Sequence, residues 1–126
     1  REYRLPTRDE ISRAAEAEGE LNRVFAEIPF GLPEEPLPSK EALGFRVPLY
    51  GFDKWRKLFS PRQLLALGTF VKYTRGARAA MCAHGYQTEW VEALSAYVAI
   101  CVDRIADRNS CLSWWQTSAQ KIGPTF

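Results

Sequence analysis

Phe59-Ser60-Pro61-Arg62-Gln63-Leu64-Leu65-Ala66-Leu67 is the stretch that decides how this chain is read. Ser60 suits a helix N-cap, because its hydroxyl can accept an amide proton from the first turn. Pro61 then falls at the first helical position, where its missing N–H costs nothing, and Gln63 completes an S-x-x-Q capping box. A helix is predicted from Pro61 to Ala83, closed by His84-Gly85, glycine being the left-handed-tolerant residue found just past a C-terminus. At ~100° per residue, Leu64, Leu67, Phe70, Val71, Thr74, Ala77 and Met81 gather on one broad side, the expected core face. Gly68 and Gly76 each weaken such a helix by up to ~1 kcal/mol relative to Ala. Close helix packing, favoured over the approach of another molecule's backbone, explains them.

On the C-terminal side, Thr88 is placed to cap a second helix, with Glu89 and Glu92 near its positive end. Trp90, Val91, Leu94, Tyr97, Val98, Cys101, Val102 and Ile105 form an apolar face about 20 Å long, and Asn109 continues it as a polar group. The short loop at Gly85 folds the two helices into an antiparallel hairpin. Ser113 to Lys121 reads as a last short helix or turn bearing Trp114 and Trp115. On the N-terminal side, Thr7-Arg8-Asp9-Glu10 is another capping box, followed by Ile11, Ala14, Leu21, Val24, Phe25 and Ile28 at helical spacing. That helix should run to about Glu27 with an acidic outer face, and Pro29 stops it. Arg13 and Arg23 each follow a glutamate, Glu10 and Glu20, by three residues, close enough to pair weakly.

Between the helical regions, residues 29–52 form a connector. Pro29, Pro33, Pro36 and Pro38 remove amide donors and fix φ. Phe45-Arg46-Val47-Pro48-Leu49-Tyr50 reads as a short extended piece lying across the helices, because Pro48 bars it from a sheet interior. Tyr50, Phe52, Trp55, Leu58 and Phe59 are expected to fasten it by burying aromatic area. The fold class is therefore all-α: a long N-terminal helix, a proline-rich connector and a central antiparallel helical hairpin, in one domain spanning 1–126.

The totals agree with a globular domain: 126 residues, 46% hydrophobic and 25% charged. No apolar run approaches the ~20 residues of a membrane span, so no membrane partner is expected. Three cysteines without a CxxC pair point to free thiols in a reducing compartment, here taken as the cytoplasm. The chain opens on Arg1 and closes on Gly-Pro-Thr-Phe, which completes no element, so it reads as an excised segment of a larger protein.

Charge is unevenly spread. Residues 45–78 hold eight basic side chains and one acidic, a balance of +7, whereas residues 1–44 balance at −4 and residues 79–126 at −1. Lys54, Arg56, Lys57, Arg62, Lys72, Arg75 and Arg78 form this block, with Tyr50, Trp55 and Tyr73 interleaved. Arginine offers paired donors to phosphate oxygens and aromatics stack on unpaired bases, so these seven are the candidate nucleic-acid contacts, set against an ordinary solvated surface. A second cluster, Asp103, Arg104, Asp107 and Asn109, shares one end of the second hairpin helix. It reads as a charged face on which Arg104 can reach Asp107, or as an interface with another domain. Cys82, His84, Cys101 and Cys111 match no zinc spacing, and neither a nucleophile motif nor a glycine-rich phosphate loop occurs. No catalytic, metal or cofactor residue is assigned.

Two stretches carry a family likeness. Tyr50-Gly51-Phe52-Asp53-Lys54-Trp55, leading into Leu58-Phe59-Ser60-Pro61-Arg62-Gln63-Leu64-Leu65-Ala66-Leu67, is one. The other is Ala96-Tyr97-Val98-Ala99 through Asp103-Arg104-Ile105-Ala106-Asp107-Arg108-Asn109-Ser110, then Trp114. They resemble an internal segment of the prokaryotic adenine-specific DNA methylases that carry an added zinc-ribbon segment, over most of residues 40–126. Arg1-Glu2-Tyr3-Arg4-Leu5-Pro6-Thr7 resembles that segment's usual beginning. The resemblance implies a parent enzyme that methylates the exocyclic amine of adenine in DNA with S-adenosylmethionine. The family's Asp-Pro-Pro-Tyr type motif, cofactor glycines and zinc cysteines match no position here. The segment would thus be a non-catalytic accessory region that contacts DNA phosphates. Alternatively, it is a scaffold that packs on other domains of its parent.

Overall fold

The computed structural model describes residues 4–43 and 46–125, with only the backbone of Lys40 and Leu43. Among the described residues there are four α-helices: α1 (Arg8–Phe25), a single turn α2 (Lys40–Leu43), α3 (Pro61–Ala83) and α4 (Thr88–Arg108). The fold is the all-α arrangement expected, with α3 packed against α1 on one side and α4 on the other.

Both capping boxes form. The Thr7 hydroxyl accepts from the Glu10 amide while the Glu10 carboxylate accepts from the Thr7 amide at 2.7 Å. Ser60 and Gln63 repeat the exchange, the Ser60 amide donating to the Gln63 carbonyl at 2.8 Å. Two reciprocal bonds at each N-terminus satisfy donors that would otherwise be orphaned, which fixes where α1 and α3 begin. α4 starts differently. Gln87, not Thr88, is its N-cap and offers no side-chain bond, so the start rests on the backbone turn at Gly85 (φ +73°).

The core is small and lies between α1 and α3. Leu21, Phe25 and Leu64 are buried together, with Ile28, Leu32, Phe59 and Leu65 packed around them. A Cβ on Gly68 would sit 2.7 Å from the ring of Phe25, so the missing side chain is what lets the two helices approach. Gly76 has nothing within 4 Å and no such reason. Lys72 ties the pair at their margin through an ion pair to Glu27 at 2.8 Å.

The connector departs from the extended path expected of it. Val47–Tyr50 is a 3-10 turn with Pro48 near its start, because a fixed φ suits a tight helical turn as well as a strand; Phe45 lies outside the described residues. Upstream, residues 33–37 double back on 53–56. The Leu37 amide donates to Asp53, that of Trp55 to Glu35 and that of Arg56 to Pro33, at 2.8–3.1 Å. A second 3-10 turn, Trp55–Leu58, drops Leu58 into full burial beneath the C-terminal tail, whose Cys111 amide donates to the Leu58 carbonyl at 2.7 Å. Tyr50 does not fasten anything: it is exposed.

The last segment is neither helix nor simple turn. Trp115–Gln116 (β1) pairs antiparallel with Lys121–Ile122 (β2) in a two-stranded ladder. Beyond it the chain returns to α4, where the Thr125 amide donates to the Asp107 carboxylate at 3.0 Å and its hydroxyl meets Ser110 Oγ at 2.6 Å. Gly123 is required here, since a Cβ would lie 2.6 Å from the indole of Trp114.

Candidate functional site

The basic block keeps its residues but not its free charge. Glu34, carried by the folded-back connector, takes both Lys54 (2.7 Å) and Arg56 (2.8 Å). Lys57 pairs with Asp53 four residues before it at 2.7 Å, and Lys72 with Glu27. Hydrogen bonding from Lys54 holds the Glu34 carboxyl below its ordinary range, and Lys57 does the same for Asp53. Four of the seven candidate phosphate contacts are therefore held at the surface by three of the chain's own acids, which leaves one positive charge of the four unbalanced. Arg62, Arg75 and Arg78 make no ion pair among the described residues. They are not gathered: Arg75 and Arg78 share the outer half of α3, while Arg62 lies more than two turns away at its start.

The second cluster splits as well. Asp103, Arg104 and Asp107 line a cavity of about 460 Å³ with Trp55 and Ala106, whereas Asn109 borders a different depression beside Ser60, Arg62 and Gln63. Asp107 is half-buried and committed to the tail through the Thr125 amide, so its first role is to anchor the C-terminus. Among the described residues no group of three His, Cys, Asp or Glu side chains is placed to hold a metal, and Cys82, Cys101 and Cys111 are free and exposed. No described helix is long and apolar enough to cross a membrane.

What the sequence reading missed is the state of the hairpin's apolar side. Of the eight apolar residues expected to bury one face of α4, only Val91 is buried. Trp90, Leu94, Tyr97, Val98 and Ile105 stand 37–74% exposed, and so do Phe70 and Tyr73 on α3. Helical rotation explains the pattern. On α4 the least exposed positions, Val91, Ser95, Val102 and Ala106, share one strip that abuts α3. The exposed apolar residues lie on the adjoining strip, rotated by ~90°. On α3, Phe70, Tyr73 and Ala77 are offset from the α4 contact by a similar angle, and in antiparallel helices the two offsets fall on the same side of the hairpin. One continuous apolar face spans both helices, with Tyr73 opposite Tyr97 and Val98 near its middle. Arg75 and Arg78 lie more than ~100° round from it.

In comparisons with protein-family models, curated proteins and solved structures, nothing matches this chain.

Proposed function

We propose that this chain is a non-catalytic helical interaction segment, whose work is to join protein to protein through the apolar face of the α3–α4 hairpin. The observation that carries this reading is that face itself. Two tyrosines, a tryptophan and a phenylalanine stand exposed, whereas the core cluster buries only Leu21, Phe25 and Leu64. Exposed contiguous apolar surface of this kind marks interaction sites on folded proteins, and aromatic residues are enriched in interface centres. The resemblance to adenine-specific DNA methylases suggests the setting. In such a parent, with S-adenosylmethionine and the catalytic motif held elsewhere, the segment braces other domains rather than taking part in methyl transfer.

Direct contact with DNA phosphates is the second reading, and the unpaired Arg62, Arg75 and Arg78 favour it. Fluorescence anisotropy with a labelled duplex at two salt concentrations separates the two. The interaction reading predicts no binding that weakens with salt. Micromolar, salt-sensitive binding that is lost in the double variant Arg75→Glu/Arg78→Glu would overturn it, since each phosphate contact contributes about −0.9 to the slope of log K against log salt.

A further inference from the structure

We infer that the occupant of the hairpin's apolar face is a second copy of this chain, packed antiparallel on it so that two hairpins close a four-helix bundle. The inference rests on the interaction reading above and names its partner.

The area suffices. Applying the 37–74% exposures of Phe70, Tyr73, Trp90, Leu94, Tyr97, Val98 and Ile105 to ~200 Å² per large side chain gives roughly 750 Å² of apolar surface. A specific stable complex buries about 800 Å² per partner, so a like face is all that is needed to complete one. The shape suits a copy of itself. Two parallel rods present a shallow groove between them, and a second pair fits it in the ridge-and-groove packing that makes four-helix bundles. A two-fold operation also makes the patch its own complement, so no partner of special shape has to be supposed.

Charge selects the direction. No ionised side chain of α3 or α4 lies on the middle of the face, and Arg13 of α1 stands beside Phe70. The margins of the face carry Arg62, Arg104 and Arg108, the last paired with Asp107 at 3.4 Å, all at the end where α3 begins and α4 finishes. A two-fold axis running along the helices would stack these arginines on their copies. An axis across the helices sets them over the opposite end, where Glu89 and Glu92 lie more than ~100° round α4 from the face and the face itself carries no ionised side chain. Like charges in close apposition oppose association, so the antiparallel arrangement, which parts the arginines, is favoured. The axis then passes near Tyr73, Tyr97 and Val98. The two copies of exposed Cys101, three to four residues further on, fall ~10 Å apart along the bundle.

Sedimentation equilibrium of the full chain, from low to several hundred micromolar, tests this. The expected result is a reversible monomer–dimer equilibrium. Val98→Glu should weaken it roughly 30-fold or more, because the glutamate falls at the centre of the interface. Val98 is exposed in the monomer, so the variant's helical circular dichroism should be unchanged. Arg75→Glu, on the other side of the hairpin, should leave the dimer intact. With Cys82 and Cys111 replaced by serine, Cys101, which shares the face of α4 that the dimer buries, should react slowly with a maleimide in the dimer and freely in the dilute monomer. A chain that stays monomeric throughout would overturn the inference while leaving the interaction reading in place with a different partner. Association indifferent to Val98→Glu, or a dimer in which Cys101 stays as reactive as in the monomer, would also overturn it. Failure of the underlying reading shows separately, as salt-sensitive binding to duplex.

Discussion

Replacing Gly68 by alanine tests the close approach of α1 and α3 that organises the core. Alanine favours a helix interior over glycine by up to ~1 kcal/mol, so on an isolated helix Gly68→Ala would stabilise. Here the added methyl would lie 2.7, 2.9 and 3.3 Å from three atoms of the Phe25 ring. That ring is packed against Leu21 and Leu64 and has little room to swing. Inserting a methyl into packed surroundings costs about 1–3 kcal/mol, so the net change should be a loss of up to ~2 kcal/mol. Gly76 is the internal control: nothing lies within 4 Å, and Gly76→Ala should return the helical gain of up to ~1 kcal/mol. Urea unfolding followed by circular dichroism at low protein concentration reads both variants against the parent. Midpoints should move in opposite directions with the slope unchanged. If Gly68→Ala stabilises as much as Gly76→Ala, the two helices do not meet as described and the core must lie elsewhere.

Leu58, fully buried where the second 3-10 turn meets the tail, should cost about 2–5 kcal/mol when cut to alanine, measured by the same unfolding assay. The Glu10 carboxyl is lowered from its usual 4.5 to about 2, chiefly by the Arg4 side chain and then by the Thr7 amide and hydroxyl. Because the folded value is the lower one, this contribution to α1 is complete above pH ~4.5 and lost as pH falls towards 2; NMR titration should show it, with Arg4→Ala moving Glu10 back up. Titration calorimetry with S-adenosylmethionine should give no heat of binding, whereas a micromolar signal would place cofactor chemistry in this segment.

Helix existence was legible because its signals are local. The two S/T-x-x-E/Q boxes, Pro61 and Gly85 act within a turn or two of where they stand, and the structure follows them at Thr7 and Ser60. Gly68 and Gly76 read alike as packing positions, but only Gly68 meets a partner, Phe25, and no local signal told the two apart. Distant pairing was the hidden part. That Glu34 would fold back 20 residues to pair with Lys54 and Arg56 depends on the path of the proline-rich connector, which local propensity does not encode. Thr88 was misplaced by one residue because Gln87 closes the turn on backbone bonds alone. Trp115 pairs with Ile122 and Gln116 with Lys121 in a ladder too short to leave an alternating pattern. The uncovered face had a trace in the sequence: Trp90 to Ile105 needs a partner helix, α1 already fills one side of α3, and α4 can bury only one strip against the other. Counting apolar stripes against available partners would have left one over.

Hydroxyl-radical footprinting of the dilute chain, read by mass spectrometry, tests the uncovered face most directly. Tyr73, Trp90 and Tyr97 should oxidise at rates approaching those of the unfolded chain, while Phe25 and Leu58 are protected. Tyr97 and Trp90 as slow as Phe25 would mean that the hairpin folds its apolar side inward, and no docking surface would remain to explain.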